Sequence, residues 1–525
     1  MSDLSAEERI LLAPYVTSLE KPVFALTNLP EVIKGALFSR YSRSQKGLRR
    51  LLLDEFLLAK ESGFTGTAAI GLLNLTRAQE FYDRILDGYG DDSIGELGGA
   101  HLALEQVSNI ASKAIEDCRI GGSPLEKSTR YVRFDQKTAN GWQYLRESAI
   151  MASRHADRYL AAMDTLFQTY SDMMDPLISL LKERIPQGET PKAAYDASVR
   201  ARACDALRGL LPASTLTNVG VFGNGRFFES LIVKLRMSPL GELCSLGESA
   251  QEELDKVIPS FVRRSKPEHR HFAGFAQHRE TVRKALNKAA ETERTYRNDS
   301  ELREVTLVHH DPDAEERVLA AILYSQGHQP FAACLAHAHA MDAQQRDRLY
   351  DAYLSGRENR RHKPGRALEH ARYTFDILAD FGSYRDLQRH RMLTQERQLL
   401  STRHGYIVPA LVEDAGFAAS YREALDNAAE CFQHIEKDMP QEAQYCVPFA
   451  FRLRWHMAIN LRALLWLCEL RTVPQGHEDY RRIAQGMCRA VQAVHPRLAR
   501  CFQFVDMNAY QLGRLQSEIR AADRN

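Results

Sequence analysis

The chain has 525 residues, 44% hydrophobic and 26% charged, with a formal net charge of +1 at pH 7. That length exceeds one ordinary core and calls for two or three domains, while the near-neutral charge argues against a dedicated polyelectrolyte binder. No apolar run reaches the roughly 20 residues of a membrane helix. The acidic start Met-Ser-Asp-Leu-Ser-Ala-Glu-Glu-Arg lacks a signal-peptide pattern. The nine cysteines fall singly, so reduced, buried thiols and a cytoplasmic location are expected.

Along the chain, Ser93 and Glu96 fit a capping box, and Leu97, Ala100, Leu104, Val107, Ala111 and Ala114 recur at helical spacing. The segment Arg119-Ile-Gly-Gly-Ser-Pro-Leu-Glu-Lys-Ser128-Thr-Arg130-Tyr131 follows, with a strand pattern over Thr129–Phe134. Asn224-Gly-Arg226 comes later in this half. Residues 265–304, dense in charge, read as a solvated helical connector. Val305-Thr-Leu-Val-His-His reads as a short strand, and Asp311-Pro-Asp-Ala-Glu-Glu as a helix start. Leu368, Ala371, Phe375, Leu378 and Phe381 repeat the helical spacing before Arg389-His390-Arg391. Ser401-Thr-Arg403-His404, a strand-like Gly405-Tyr-Ile-Val-Pro, Asn460-Leu-Arg462 and Arg471 complete the series.

These segments form two unequal copies. Glu96 to Arg119 spans 23 positions and Glu369 to Arg391 spans 22, whereas Arg119 to Asn224 spans 105 and Arg391 to Asn460 only 69. The first copy therefore carries an insertion of about 36 residues, expected as extra helix between Ala139 and Ala203. The expected fold class is helix-rich α+β: two tandem lobes, residues 1–264 and 305–525, joined by 265–304, each a small sheet packed by long helices.

Arg389-His390-Arg391 places two permanent cations and one titratable ring within three residues, and arginine offers planar paired donors suited to phosphate. Ser128 adds a hydroxyl, Arg130 a fork and Tyr131 a ring able to stack on a base. Asn460 and Arg471 lie 11 residues apart, nearly three helical turns, with Leu464 and Leu467 on the same face. A half-buried amide and guanidinium need partners, either each other or a ligand. Cys334, His337 and His339 read as packing in an alanine-rich helix, so no metal site is expected. Arg360-Arg-His-Lys and Arg40-Tyr-Ser-Arg read as solvated faces, so nucleic acid is not an expected partner.

Together these motifs resemble the flavin-dependent thymidylate synthase family, over roughly residues 80–260 and again over 304–500. The resemblance implies methylation of dUMP to dTMP with FAD as cofactor, methylenetetrahydrofolate as carbon donor and NADPH as reductant. By position, Arg389, His390, Arg391, Asn460 and Arg462 are then expected at the flavin. Ser128, Arg130, Tyr131, Arg119 and Arg471 are expected at the nucleotide. No protein nucleophile is implied, since the cofactor carries the hard step.

The two copies depart from the family in complementary ways. The first has Asp117-Cys118-Arg119 where the family has Arg-His-Arg, and Leu235 at the position of Arg471. The second keeps Arg-His-Arg, but Ser401 is displaced by two residues and His404 replaces tyrosine. The expectation is one composite site, pairing the Ser128–Tyr131 loop of lobe one with Arg389–Arg391 of lobe two. Two chains supply the four lobes of the family's tetramer, so a homodimer is expected. Two further readings stand beside this one: flavin-dependent modification of another pyrimidine nucleotide, and a non-catalytic nucleotide- or flavin-binding scaffold.

Overall fold

A computed structural model describes residues 4–42, 44–58, 95–119, 121–293 and 303–522. Ser93, the expected helix cap, and residues 294–302 of the charged connector lie outside the described residues.

The principal elements in chain order begin with α1 (Ala6–Leu12), α2 (Glu31–Tyr41), β1 (Gly99–Ser108), α3 (Asn109–Glu116) and β2 (Gly122–Glu126). They continue with α4 (Ala156–Arg184), α5 (Lys192–Leu207), β3 (Leu216–Asn224), α6 (Gly225–Arg236), α7 (Gly241–Asp255) and α8 (Arg270–Glu293). The second half holds β4 (Val305–His310), α9 (Ala314–Gln326), α10 (Phe331–Ala340), α11 (Ala343–Leu354), β5 (Arg372–Asp380) and α12 (Phe381–Leu387). It ends with β6 (Thr394–Arg397), α13 (Ala418–Glu436), β7 (Arg452–Asn460), α14 (Leu461–Arg471), α15 (Glu478–Val494) and α16 (Leu515–Ala522). The fold is α+β, with one sheet in the order β1-β3-β2 and another in the order β4-β5-β7-β6.

The chain divides into two compact units: residues 1–105, 118–126 and 218–297, and residues 106–117, 127–217 and 298–525. In the first unit, β2 runs antiparallel to β3 from Gly122↔Gly223 to Glu126↔Val219. A Cβ at Gly122 or Gly223 would fall 2.3 or 2.4 Å from the ring of Phe227, so glycine there admits the aromatic cover of the sheet end. The buried face of α6, with Phe228, Leu231, Ile232 and Leu235, packs on α7. The visible part of the connector is α8, largely exposed through residue 290.

In the second unit, β5 and β7 pair antiparallel over nine positions, from Arg372↔Asn460 to Asp380↔Arg452, with β6 flanking β7. α4 and α13 pack together; Leu166, Tyr170 and Leu177 on one helix and Tyr421, Ala428 and Phe432 on the other are all 2% exposed or less. No helix among the described residues is long and apolar enough to cross a membrane.

The duplication is written in the helix caps. β3 ends on Asn224 and β7 on Asn460; each is extended at φ −81°, and each side-chain oxygen accepts the backbone N–H three residues on at 2.9 Å. β1 ends on Ser108 and β5 on Asp380, which cap α3 and α12 in the same way at 3.0 and 2.8 Å. A capping side chain satisfies one of the orphan amides at the helix start, so strand becomes helix within one residue. Between its edge strand and its central strand the first repeat carries two long helices, α4 and α5, and the second only α13.

Four element expectations are corrected. The continuous helix over Leu97–Ala114 is instead β1 followed by α3. Gln106 has φ 55°, which shifts the inward alternation by one residue. Ala100, Leu104 and Val107 thus fall at intervals of four and three, mimicking helical spacing. The segment Leu368–Phe381 is a short 3-10 turn and β5, with Ala371, Tyr373, Phe375, Ile377 and Ala379 buried at strand period. Thr129–Phe134 is a turn and coil, because its polar residues are drawn into side-chain bonds rather than a ladder. Gly405–Pro409 makes only an isolated bridge, Tyr406 to Phe451.

Candidate functional site

All features below belong to the second compact unit unless stated. α12 carries the chain out of the sheet and delivers Arg389-His390-Arg391 just past its end. α14 starts at its Asn460 cap and ends on Arg471; Leu464 and Leu467 are fully buried and fix which face is presented. Between these two elements lies a cavity of about 400 Å³. Arg389, His390, Arg391, Asn460 and Arg462, the five residues expected at a flavin, all line it, together with Arg471.

Arg357, Arg360, Lys363 and Trp466 line it too, alongside Glu369 and Glu469. Arg360 and Lys363 belong to the basic run read above as a solvated face; Arg361, His362 and Lys363 are exposed, whereas Arg360 is half-buried, and Arg360 and Lys363 also border the cavity. Lys363 Nζ stands 5.1 Å from the Trp466 ring centroid. Arg357 pairs with the buried Glu469 at 2.8 Å, and Arg462 with Glu369 at 2.9 Å. Arg360 Nη1 is buried with no hydrogen-bond partner among the described residues. An orphaned guanidinium N–H costs about 1–3 kcal/mol, which an anionic ligand removes.

Arg471 does not pair with Asn460, whose oxygen is spent on the cap. It donates Nε–H to His390 Nε2 at 2.9 Å. Burial and the Arg471 charge push the His390 pKa well below the ordinary imidazole value. Arg389 Nε lies 3.9 Å from Glu116, which is also paired with Lys113 in a fully buried contact. Asp386 pairs with Arg208 at 3.2 Å. Burial opposes its ionisation, yet the charges of Arg208, Arg389, Arg130 and Arg471 hold it well below the usual carboxylate range.

The Ser128–Tyr131 loop is built around Arg130, 7% exposed. Ser128 Oγ accepts the Arg130 backbone N–H at 3.2 Å. Arg130 Nε and Nη2 donate to the two oxygens of Asp205, each at 2.7 Å. Nη2 also donates to Gln475 O at 3.1 Å, and Nη1 to Tyr480 Oη at 3.0 Å. Among the described residues one guanidinium N–H is left over. Burial raises the Asp205 pKa, but Arg130 and His477 outweigh it and bring it to about 2. Asp205 stands on α5, one of the two long helices of the first repeat, and no local pattern in the sequence pointed to it. Arg130 lines a second cavity, of about 260 Å³. Tyr131 is 46% exposed, with the Arg514 guanidinium 3.9 Å from its ring centroid. Arg119 is exposed and belongs to the first unit.

Tyr480 joins the two groups. Its ring centroid is 5.6 Å from the guanidinium carbon of Arg130 and 5.6 Å from that of Arg471.

Fold and site together define a duplicated α+β protein whose second unit carries an arginine-rich cavity. Residues 58–269 and 306–497 each match the family described as thymidylate synthase complementing protein. The chain belongs to that family, as a tandem duplication of its domain. It is 47% identical over 520 residues to a UPF0159 protein of Chlamydia pneumoniae, covering 99% of this chain and 98% of the relative. A UPF0159 protein of Thermoplasma acidophilum is 34% identical over 518 residues, covering 93% of this chain and 98% of its own length. A crystal structure of a UMP/dUMP methylase PolB from Streptomyces cacaoi bound with 5-Br dUMP is similar at TM-score 0.30 and 19% identity, covering 38% of this chain and 93% of that one.

Proposed function

We propose that the chain is a flavin-dependent thymidylate synthase-like enzyme that methylates dUMP to dTMP, with methylenetetrahydrofolate as carbon donor, NADPH as reductant and FAD as cofactor. The observation that carries this reading is the single cavity lined by Arg389, His390, Arg391, Asn460, Arg462 and Arg471, in a chain of this family. Its donor set fits a dinucleotide: paired arginine forks suit a diphosphate, and the buried, unpartnered Arg360 Nη1 lacks the acceptor such a group brings. FAD, when bound, supplies hydride transfer to the pyrimidine. The protein's part is to hold both ligands in register and to stabilise developing charge with arginine donors. Ser128, Arg130, Tyr131, Arg119 and Arg471 serve the nucleotide in this reading.

The lobes are residues 1–264 and 305–525, joined by 265–304. The working site combines the Ser128–Tyr131 loop of one with Arg389–Arg391 of the other; the reciprocal combination, Asp117-Cys118-Arg119 with Ser401–His404, lacks the family's residues. The enzyme works as a homodimer in this reading.

The Arg130–Asp205 pair supports a second reading, a flavin-dependent reaction on a pyrimidine nucleotide other than dUMP, because a carboxylate occupying Arg130 alters which acceptors that fork can bind.

Absorbance of the purified chain is the first test, with a yellow flavin spectrum expected. NADPH oxidation accelerated by dUMP, with dTMP formed from methylenetetrahydrofolate, supports the first reading. Bound flavin without a dUMP response moves the assignment to the second. A colourless protein that takes up no FAD overturns both.

A further inference from the structure

Residues 498–522 lie beyond the ranges over which the chain matches its family. Residues 507–514 of that stretch line the 260 Å³ cavity together with the loop Pro474–Gly476. The segment is fastened at several points. Asp506 N donates to Thr472 Oγ1 at 3.0 Å, Gln485 Nε2 to Asp506 O at 3.0 Å, and Arg481 Nη2 to Asn508 O at 2.8 Å. A Cβ at Gly513 would fall 1.9 Å from Pro474 O, so only glycine allows this approach.

Cations line this cavity while part of the balancing charge stands behind them. Arg130 and Arg202 are matched within the lining by Asp205 and Glu478. Arg481 and Arg514 also line it, but their partners Asp506 and Glu518 do not. Arg481 is 4% exposed; its Nε donates to Thr472 O at 2.9 Å, and its Nη1 has no partner among the described residues. Arg514 Nε is buried and also without a hydrogen-bond partner there. Tyr131 lies 3.9 Å beneath the Arg514 guanidinium and orients its plane. Two guanidinium groups with unmet N–H donors match a tetrahedral oxyanion.

We propose that this cavity is a phosphate-monoester subsite, with Arg481 and Arg514 as its donors and residues 506–514 as its closing wall. The inference rests on the nucleotide reading above for the molecule that carries the phosphate. Arg130, left with one N–H, then orients the loop while Arg481 and Arg514 hold the charge.

Calorimetric titration of the full chain with inorganic phosphate, dUMP and deoxyuridine tests it. Phosphate and dUMP are expected to bind and deoxyuridine to bind at least roughly tenfold more weakly. Arg514→Gln is expected to weaken phosphate and dUMP by roughly tenfold or more at an unchanged melting temperature. In the unmutated protein, phosphate is expected to slow hydrogen exchange at the amides of residues 506–514, a readout that does not depend on the variant folding. Phosphate binding that Arg514→Gln removes, with no dUMP binding at all, supports the subsite and overturns the nucleotide reading. Equal dUMP affinity in both proteins overturns the subsite and leaves that reading standing. Absence of phosphate binding, or of any change in exchange, also overturns the subsite.

Discussion

Arg471 donates its Nε–H to Nε2 of His390 at 2.9 Å. Arginine cannot accept, so the imidazole is neutral and carries its proton on Nδ1. One contact thus sets the tautomer of the central residue of Arg389-His390-Arg391 and ties it to the last residue of α14.

A pH dependence follows. The folded His390 pKa is depressed below the ordinary 6.5 by burial and by Arg471. The unfolded chain therefore binds the extra proton first, and this contribution to stability is full above about pH 6.5 and declines as pH falls below it. Melting temperature measured from pH 7.5 to 5 should fall more steeply for the native chain than for His390→Gln. Parallel curves contradict the assignment.

Asp205→Ala leaves the Arg130 guanidinium buried without its carboxylate, at a cost of about 3–5 kcal/mol. Arg130→Ala with Asp205→Ala should cost less than the two single changes summed. Because the Asp205 pKa is lowered to about 2, its contribution is present above the unfolded value near 4 and is lost as pH falls through 2. Denaturant titration of the three variants checks the coupling, and simple additivity removes it.

The two asparagine caps should behave as equivalents. Asn224→Ala and Asn460→Ala are each expected to cost about 1 kcal/mol, and the serine variants much less, since serine also caps. Flavin affinity separates the second role proposed for Asn460: a change at Asn460 alone lowers it. Equal flavin loss in both alanine variants would falsify that role.

Activity should divide the copies. Arg130→Ala and Arg391→Ala are expected to lose activity by on the order of 100-fold or more, whereas Cys118→Ala and Ser401→Ala stay near the native rate. Steady-state kinetics decide, and equal losses in all four variants defeat the composite site.

Much of the site was legible before folding because its residues cluster locally or recur at helical spacing. Arg389-His390-Arg391 is contiguous, and the Asn460–Arg471 spacing holds on α14, although Asn460 serves as the cap and not as a partner for Arg471. The element failures have separate causes. A residue in left-handed backbone at Gln106 shifts the alternation of β1 into helical intervals, the apolar residues of β5 fit helical spacing as well as strand period, and the polar residues of Thr129–Phe134 bond through their side chains instead of joining a ladder.

The sequence by itself determined the duplication, its uneven wear and the helix-rich α+β class, because motif spacing and binary pattern are local properties. Only the tertiary structure decided that Asp205, from α5, occupies most of Arg130, that Tyr480 stands against both Arg130 and Arg471, and that Arg360 and Lys363 line a cavity. Arg130 lies 75 positions from Asp205 and 350 from Tyr480, and burial, which makes each charge seek its match, acts only once the chain has closed around them.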